Sequence, residues 1–399
     1  ACHPLPLLHS LSLNLTFAPS LCRSSWNNPD LEAAEFYENS AIRSIVRYHL
    51  ARYVFSQFLM STLFALPRQK ERAPRKSIGL DRIADPVSED LVSVDRHIDE
   101  QLASDVALIR QMGAYLVAAG GKRLRPITLL LAAKALRYRG TDHIALAAVI
   151  ELIHTATLMH DDVVDHSELR RGQRTGNAVW GNAASVLVGD FMYSRSFEMM
   201  VTVNRMRVMK IMASTTNAIA EGEIMQLLHL NSPDIRETEY LAMIERKTAR
   251  LFQSATQLAA VLAGADATTE KALTAFGLNL GVAFQISDDL LDYGPPSLAL
   301  GKNPGDDLAE GKCTLPLIYA LRNGNSEEME LLRSAIENGD RENIQAIQEI
   351  IESTGSVAYT SRRAREYAAT AKSQLNKLPE SIYLASLRDL ADFSVSRIH

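Results

Sequence analysis

Two acidic clusters of the same form, DDxxD, stand far apart in the chain. Their carboxylates are Asp161, Asp162 and Asp165 in the first cluster and Asp288, Asp289 and Asp292 in the second. The first and last acids of DDxxD lie one turn apart on one face of a helix, where they repel each other unless a cation lies between them. Hard carboxylate oxygens with room for water and phosphate suit Mg²⁺. One such cluster alone is more often an exposed acidic turn, but two clusters beside apolar helices predict a shared pocket for Mg²⁺ and a diphosphate.

Basic residues near these clusters could bind anions directly. They are Lys122, Arg123 and Arg125 in GGKRLRP, Arg170 and Arg171 after the first cluster, Lys247 in ERKTARLF, and Lys302 and Lys312 in GKNPGDDLAEGK. Arginine matches phosphate oxygens with paired donors, and glycine lets a backbone come close to an anion. Any one of these charges could simply be solvated. Together they balance the acidic clusters and indicate two anionic ligands, one held through metal and one held directly.

His154 lies seven residues before Asp161, about two helical turns, so both side chains share one helix face. A histidine in an apolar helix is more often a satisfied core residue. Its place on the acidic face favours a phosphate contact here.

The composition predicts an all-α fold and excludes several classes of protein. Of the 399 residues, 47% are hydrophobic, so the chain can bury a large core. A net charge of -5 shows none of the basic excess of nucleic-acid-binding proteins. Helix formers dominate long stretches and no strand-like alternation of useful length occurs. The three cysteines lack metal-ligand spacing, which favours a reducing compartment, and we expect a cytoplasmic protein.

The first 75 residues differ from the rest of the chain. The stretch before Asp30 contains no acid and is rich in Leu, Ser and Pro. We expect residues 1–75 to be an N-terminal extension that is disordered or not part of the enzyme fold, with a mitochondrial or secretory targeting sequence as the alternative. The single catalytic domain is expected to span residues 76–399.

Five motifs resemble those of the trans-isoprenyl diphosphate synthases, and most closely those of the long-chain, octaprenyl-type members from bacteria. They are GGKRLRP, ELIHTATLMHDDVVDHSELRRG, KTARLF, QISDDLLDY and GKNPGDDLAEGKCTLP. The resemblance implies a bundle of long antiparallel helices around a deep central cavity, and a homodimer. It also implies Mg²⁺-dependent head-to-tail condensation of isopentenyl diphosphate onto a farnesyl-type or geranylgeranyl-type allylic diphosphate. The implied product is about C40, for a quinone side chain, with at most peripheral membrane contact for its release.

The resemblance assigns a role to each matching residue. Isopentenyl diphosphate would be held by Lys122, Arg125, His154 and Arg171. The allylic diphosphate would contact Arg170, Lys247, Thr248, Gln285 and Lys302. Mg²⁺ would be held, directly or through water, by Asp161 and Asp165 with Asp162 in support, and by Asp288 with Asp289 and Asp292.

Product length is expected to depend on the apolar space beneath the first acidic cluster. The residue five positions before Asp161 faces that space in the family, and an aromatic residue there stops growth early. Here it is Ala156, which predicts an open upper tunnel and a long product. Met200 and Met212 are candidates for the floor, with ordinary core packing as the alternative.

Two other functions fit part of the sequence. A class I terpene cyclase also uses DDxxD, but it usually lacks a second copy and the GGKRLRP motif. A non-catalytic subunit of a heteromeric prenyltransferase typically loses the acidic clusters, whereas both are intact here.

Overall fold

The computed structural model describes residues 78–170, 172–294 and 304–396, and the prediction for residues 1–75 lies outside these ranges. The described chain is almost wholly helical, as the composition predicts. Its strands, β1 (Leu169–Arg170) and β2 (Gln173–Arg174), form a short antiparallel hairpin.

The helices are α1 (Ile78–Ala84), α2 (Ser88–Gln101), α3 (Ala107–Ala119), α4 (Leu124–Ala135), α5 (Asp142–Val164), α6 (Gly176–Trp180), α7 (Asn182–Thr202), α8 (Met206–Leu228), α9 (Glu237–Ile244), α10 (Arg250–Leu262), α11 (Ala267–Leu291), α12 (Asp306–Ala309), α13 (Leu315–Asn323), α14 (Ser326–Asn338), α15 (Ile344–Ser353), α16 (Ser356–Gln374) and α17 (Ile382–Ser396). A π-helical segment, Glu245–Ala249, joins α9 to α10.

Helix α5 crosses the core and ends at the first acidic cluster. It packs against α2, α4, α7 and α10, and its residues from Leu146 to Ile153 are all buried. A helix that is apolar all round must be enclosed by others. Among the described helices, α5 alone is long and apolar enough to span a membrane by composition, but most of that stretch is buried inside the protein. It is therefore a core helix, and Asp165 is its C-cap residue.

Helix α11 carries the second acidic cluster in the same way, with Asp292 as its C-cap residue. It packs on α16 and approaches α10 closely at two glycines. A Cβ atom built on Gly277 would lie 2.4 Å from the Phe252 carbonyl oxygen, and one on Gly281 would lie 2.5 Å from the Ala249 Cα atom. Glycine at these positions lets the two helices touch through their backbones.

We expect Gly277→Ala and Gly281→Ala to lower the free energy of unfolding by about 1–3 kcal/mol, because each adds a methyl group to a tightly packed backbone contact. Urea denaturation midpoints measure the loss. Gly79→Ala is the control, since its added Cβ would meet the Phe393 ring at an ordinary 3.5 Å. Unchanged midpoints in both α11 variants would show that the helices can separate without cost.

Candidate active site

The C-terminal ends of α5 and α11 open into one cavity of about 900 Å³. Five of the six clustered acids, all except Asp162, and most of the basic residues singled out from the sequence lie in its walls. These wall residues include Asp161, Asp165, Asp288, Asp289, Asp292, Lys122, Arg125, His154, Arg170, Lys247, Thr248, Gln285 and Lys312. The two helix ends that carry the DDxxD motifs therefore lie at one cavity, which acidic and basic side chains line together.

Two lysines lie against the outer acids of the first cluster. The Lys312 ammonium donates to Asp165 Oδ2 at 2.7 Å and to Glu310 Oε2 at 2.5 Å. The Lys247 Nζ atom lies 2.6 Å from Glu223 Oε2 and 3.5 Å from Asp161 Oδ2. Burial raises the pKa of the Glu223 carboxyl to about 7, and the neighbouring ammonium of Lys247 opposes this rise. The cations offset repulsion among carboxylates that water only partly screens.

The middle acid of each DDxxD turns to protein partners. Asp162 Oδ1 accepts from the Arg170 guanidinium at 2.7 and 2.9 Å, so this acid fastens the β1–β2 hairpin to α5. Asp289 accepts from the Tyr240 hydroxyl at 2.5 Å and from the Gln285 amide at 2.7 Å. Burial raises the pKa of both carboxyls, that of Asp289 to about 7. In this structure both middle acids are thus held by protein donors, and their roles toward a metal ion stay a prediction.

The outer acids suit a hard cation shared with a substrate. Within the described ranges, no three His, Cys, Asp or Glu side chains converge closely enough to hold a metal ion on their own. Mg²⁺ commonly binds through one or two carboxylates, several waters and substrate phosphates, so a sparse carboxylate set fits it. Asp161, Asp165 and Asp288 all line the cavity, and they are the residues that would hold such an ion.

The π-helical segment presents the residues expected to contact the allylic diphosphate. The Thr248 hydroxyl donates to Gln285 Oε1 at 2.8 Å, which links this segment to α11. Gly222 of α8 lies against the π-helical segment so closely that a Cβ atom on it would be 2.5 Å from the backbone nitrogen of Lys247. Single π-helical turns often mark functional sites, because the extra residue redirects side chains. Here the turn places Lys247 and Thr248 on the cavity.

Three of the residues expected to bind isopentenyl diphosphate, Lys122, Arg125 and His154, also line this cavity. Arg125 Nη1 lies 3.0 Å from His154 Nε2, and its guanidinium stacks 4.6 Å from the centre of the Phe252 ring. Arg171 and Lys302 fall outside the described residues.

Sequence reasoning gave no role to several residues that the structure places at the acids. In the sequence Lys312 is one charge among several in GKNPGDDLAEGK, and nothing there marks Glu310 as its partner. Glu223 carried a detectable signal, since it is an acid within the mostly apolar α8. Tyr240 carried none, because its contact with Asp289 joins residues distant in the chain. Ala156, Met200 and Met212 are buried in the core rather than in the described cavity wall, and their role in product length stays a prediction.

Comparison with known proteins identifies the family. A family profile described as "Polyprenyl synthetase" matches residues 106–354. The chain belongs to the polyprenyl synthetase family. It is 48% identical to octaprenyl diphosphate synthase of Escherichia coli (strain K12), over 80% of this chain and 99% of the relative. It is 45% identical to all-trans-nonaprenyl-diphosphate synthase (geranyl-diphosphate specific) of Rhodobacter capsulatus, over 78% of this chain and 96% of the relative.

The solved structures agree with this membership. A polyprenyl synthase from Caulobacter crescentus CB15, crystallised with calcium and isoprenyl diphosphate, matches with a TM-score of 0.78 at 44% identity. The match covers 82% of this chain and all of the other. These matches confirm two expectations from the motifs. The chain has the isoprenoid-synthase fold, and it is an enzyme of the trans-polyprenyl diphosphate synthase type.

We expect Lys312→Met to lower turnover by at least about tenfold, because it removes the cation between Asp165 and Glu310 and leaves two partly buried carboxylates facing each other. Steady-state kinetics of purified protein measure the effect. Lys372→Met is the control, since Lys372 makes an exposed ion pair with Asp392 and neither residue lines the cavity. Wild-type turnover in Lys312→Met would mean that this lysine is dispensable to the site.

Proposed function

We propose that this enzyme condenses isopentenyl diphosphate with an allylic diphosphate, head to tail, and repeats the step to give a long all-trans polyprenyl diphosphate. The observation that carries the proposal is the cavity in which both DDxxD clusters face a wall of cationic side chains. The relatives named above, which make octaprenyl and nonaprenyl diphosphates, support it.

The residues divide the two diphosphates between two walls. The allylic diphosphate lies at Asp161, Asp165 and Asp288, with Lys247 balancing its charge. Isopentenyl diphosphate lies at Lys122, Arg125 and His154. Two binding sites of this kind hold the reacting carbons together and remove most of the entropic cost of their encounter.

The reaction breaks the allylic C–O bond, and the alkene of isopentenyl diphosphate then forms the new C–C bond with the allylic carbocation. Mg²⁺, when bound, supplies Lewis-acid stabilisation of the departing diphosphate. Lys247 and Arg170 add fixed positive charge where negative charge develops. Thr248 and Gln285, which are hydrogen-bonded to each other, would contact the allylic diphosphate, and the released diphosphate accepts the proton lost from the adjacent carbon. Because a carbocation reacts with water, the apolar core beneath the acids must stay dry.

Asp161→Ala and Asp288→Ala should each lower metal-dependent turnover by about 10²–10³-fold or more, since each removes a preorganised electrostatic contact to the leaving group. Product formation from isopentenyl diphosphate and farnesyl diphosphate is measured over a range of Mg²⁺. Asp392→Ala removes an exposed carboxylate of α17 and should leave turnover unchanged. Near-normal turnover in either site variant would refute the proposed function.

The product is proposed to be about C40 and to serve as a quinone side chain. The support is the similarity to octaprenyl diphosphate synthases and the small side chain at Ala156, which is buried beside the first acidic cluster.

We expect Ala156→Tyr to shorten the product to roughly three or four isoprene units, because a phenol ring would fill the space beneath the acids. Met200→Ala should lengthen it by removing a buried side chain from the floor. Chromatography of dephosphorylated products distinguishes the lengths. A product of wild-type length from Ala156→Tyr would show that the chain grows along another path. If only Met200→Ala leaves the product length unchanged, another residue forms the floor.

A homodimer is proposed as the working form. Exposed apolar side chains follow the outer faces of α7 and α8, among them Val186, Leu187, Val201, Ile224 and Leu228. Burying such a surface against a second copy would remove it from water. We further propose a cytoplasmic enzyme with at most peripheral membrane contact; the buried free thiol of Cys313 fits a reducing compartment.

A further inference from the structure

Arg123 stands out because its backbone is left-handed and its side chain, which borders the cavity with Lys122 and Arg125, is held in ion pairs with two acids. Its φ of 49° and ψ of 30° lie in the left-handed region, at the N-cap position of α4. That conformation is unfavourable for a residue with a Cβ atom. An arginine is kept there only if its side chain makes contacts that offset the strain.

Those contacts are ion pairs with two separate helices. Arg123 Nε donates to Asp95 Oδ1 of α2 at 3.0 Å, and Arg123 Nη1 donates to Glu151 Oε1 of α5 at 2.7 Å. The side chains of Arg123 and Glu151 are 14% and 7% exposed, whereas that of Asp95 is 49% exposed. The Glu151 pair is therefore the better shielded of the two, and a planar guanidinium is well shaped to serve both carboxylates at once.

The clamp formed by Arg123, Glu151 and Asp95 fixes the start of α4 to α5. Lys122 precedes the clamped residue and Arg125 follows it by two positions. Glu151 is one helical turn before His154, whose ring contacts Arg125 at 3.0 Å. The clamp thus ties together the two chain segments that supply the second diphosphate site, while the acidic clusters and Lys247 lie outside it.

We propose that Arg123, through Glu151 and Asp95, is a positioning residue that sets the affinity for the homoallylic substrate, isopentenyl diphosphate, without contacting it. This inference rests on the proposed function. The competing role is a direct contact between Arg123 and the diphosphate, since Arg123 also borders the cavity.

Glu151→Gln separates these two roles because they predict opposite results. If Arg123 positions its neighbours, loss of the carboxylate loosens the clamp and the KM for isopentenyl diphosphate rises by about tenfold. If Arg123 contacts the substrate, loss of a competing negative charge leaves that KM unchanged or lowers it. The KM for farnesyl diphosphate should stay within about twofold of the wild-type value in the positioning case, as should kcat at saturation.

Arg123→Gly and Arg123→Lys complete the test. Glycine adopts the left-handed conformation without strain, so this variant keeps the turn and removes only the clamp. Lysine keeps the charge but lacks the planar fork. Both should raise the KM for isopentenyl diphosphate about as much as Glu151→Gln does. A wild-type KM in Arg123→Gly would overturn the proposal, because the backbone turn alone would then position Lys122 and Arg125.

Glu270→Gln is the matched control. Glu270 is another buried carboxylate that pairs with an arginine, at 2.6 Å from Arg207 Nη2, but it lies away from the cavity. It should leave both KM values unchanged. A rise of both KM values together in Glu151→Gln, with a lower melting temperature, would indicate a general structural role and would also overturn the proposal.

Binding measured without turnover separates this inference from the proposed function. Calorimetric titration of each full-length variant with isopentenyl diphosphate alone should show weaker binding in the clamp variants and unchanged binding in Glu270→Gln. If the wild-type enzyme makes no polyprenyl product, the proposed function fails. If it is active and its clamp variants bind isopentenyl diphosphate normally, only the positioning role fails.

Discussion

Mutual repulsion among carboxylates is the constraint on which this site depends. Two acidic clusters, with Glu223 and Glu310 nearby, line one cavity at the ends of two core helices. In a partly desolvated space such charges interact more strongly than in water and favour protonation. The protein meets this with Lys247, Lys312 and Arg170, each placed against a different acid. The ammonium groups of Lys247 and Lys312 lie beside the outer acids Asp161 and Asp165. They therefore offset part of the negative charge that a bound metal ion would otherwise offset.

Charge balance and precise packing are connected in this fold. The middle acid of each cluster binds protein donors. Asp162 accepts hydrogen bonds from Arg170 of the hairpin, and Asp289 accepts them from Gln285 and Tyr240. Gln285 in turn accepts from Thr248, which reaches it because Gly281 lets α11 touch the start of α10. A shift of α11 away from α10 would therefore break a hydrogen-bond chain that ends at the second acidic cluster. The close backbone contact at Gly281 and the position of Gln285 at the second acidic cluster therefore depend on each other.

The sequence predicted those features that follow from short-range periodicity. The ends of α5 and α11, the shared face of His154 and Asp161, and the all-α fold all follow from helical spacing. It could not predict which acid of a DDxxD is turned inward, because Asp289 is set by Tyr240, a residue distant in the chain. The π-helical turn before α10 and the left-handed Arg123 were also hidden, since both are local departures from regular geometry that only tertiary contacts stabilise.

The cavity and the apolar core beneath the acids differ in how rigid their side chains need to be. Diphosphate binding requires fixed charges, and the ion pairs around Lys312 and Arg123 provide them. A polyprenyl chain has no charge to recognise and occupies more space after every addition. The buried core around α5 contains Met159, Met192, Met199, Met200 and Met212. Unbranched, polarisable methionine side chains adapt to a changing volume at lower cost than β-branched ones. If the product grows into this core, as proposed, a rigid polar end and a deformable apolar end would meet two different demands of chain elongation within one helical bundle.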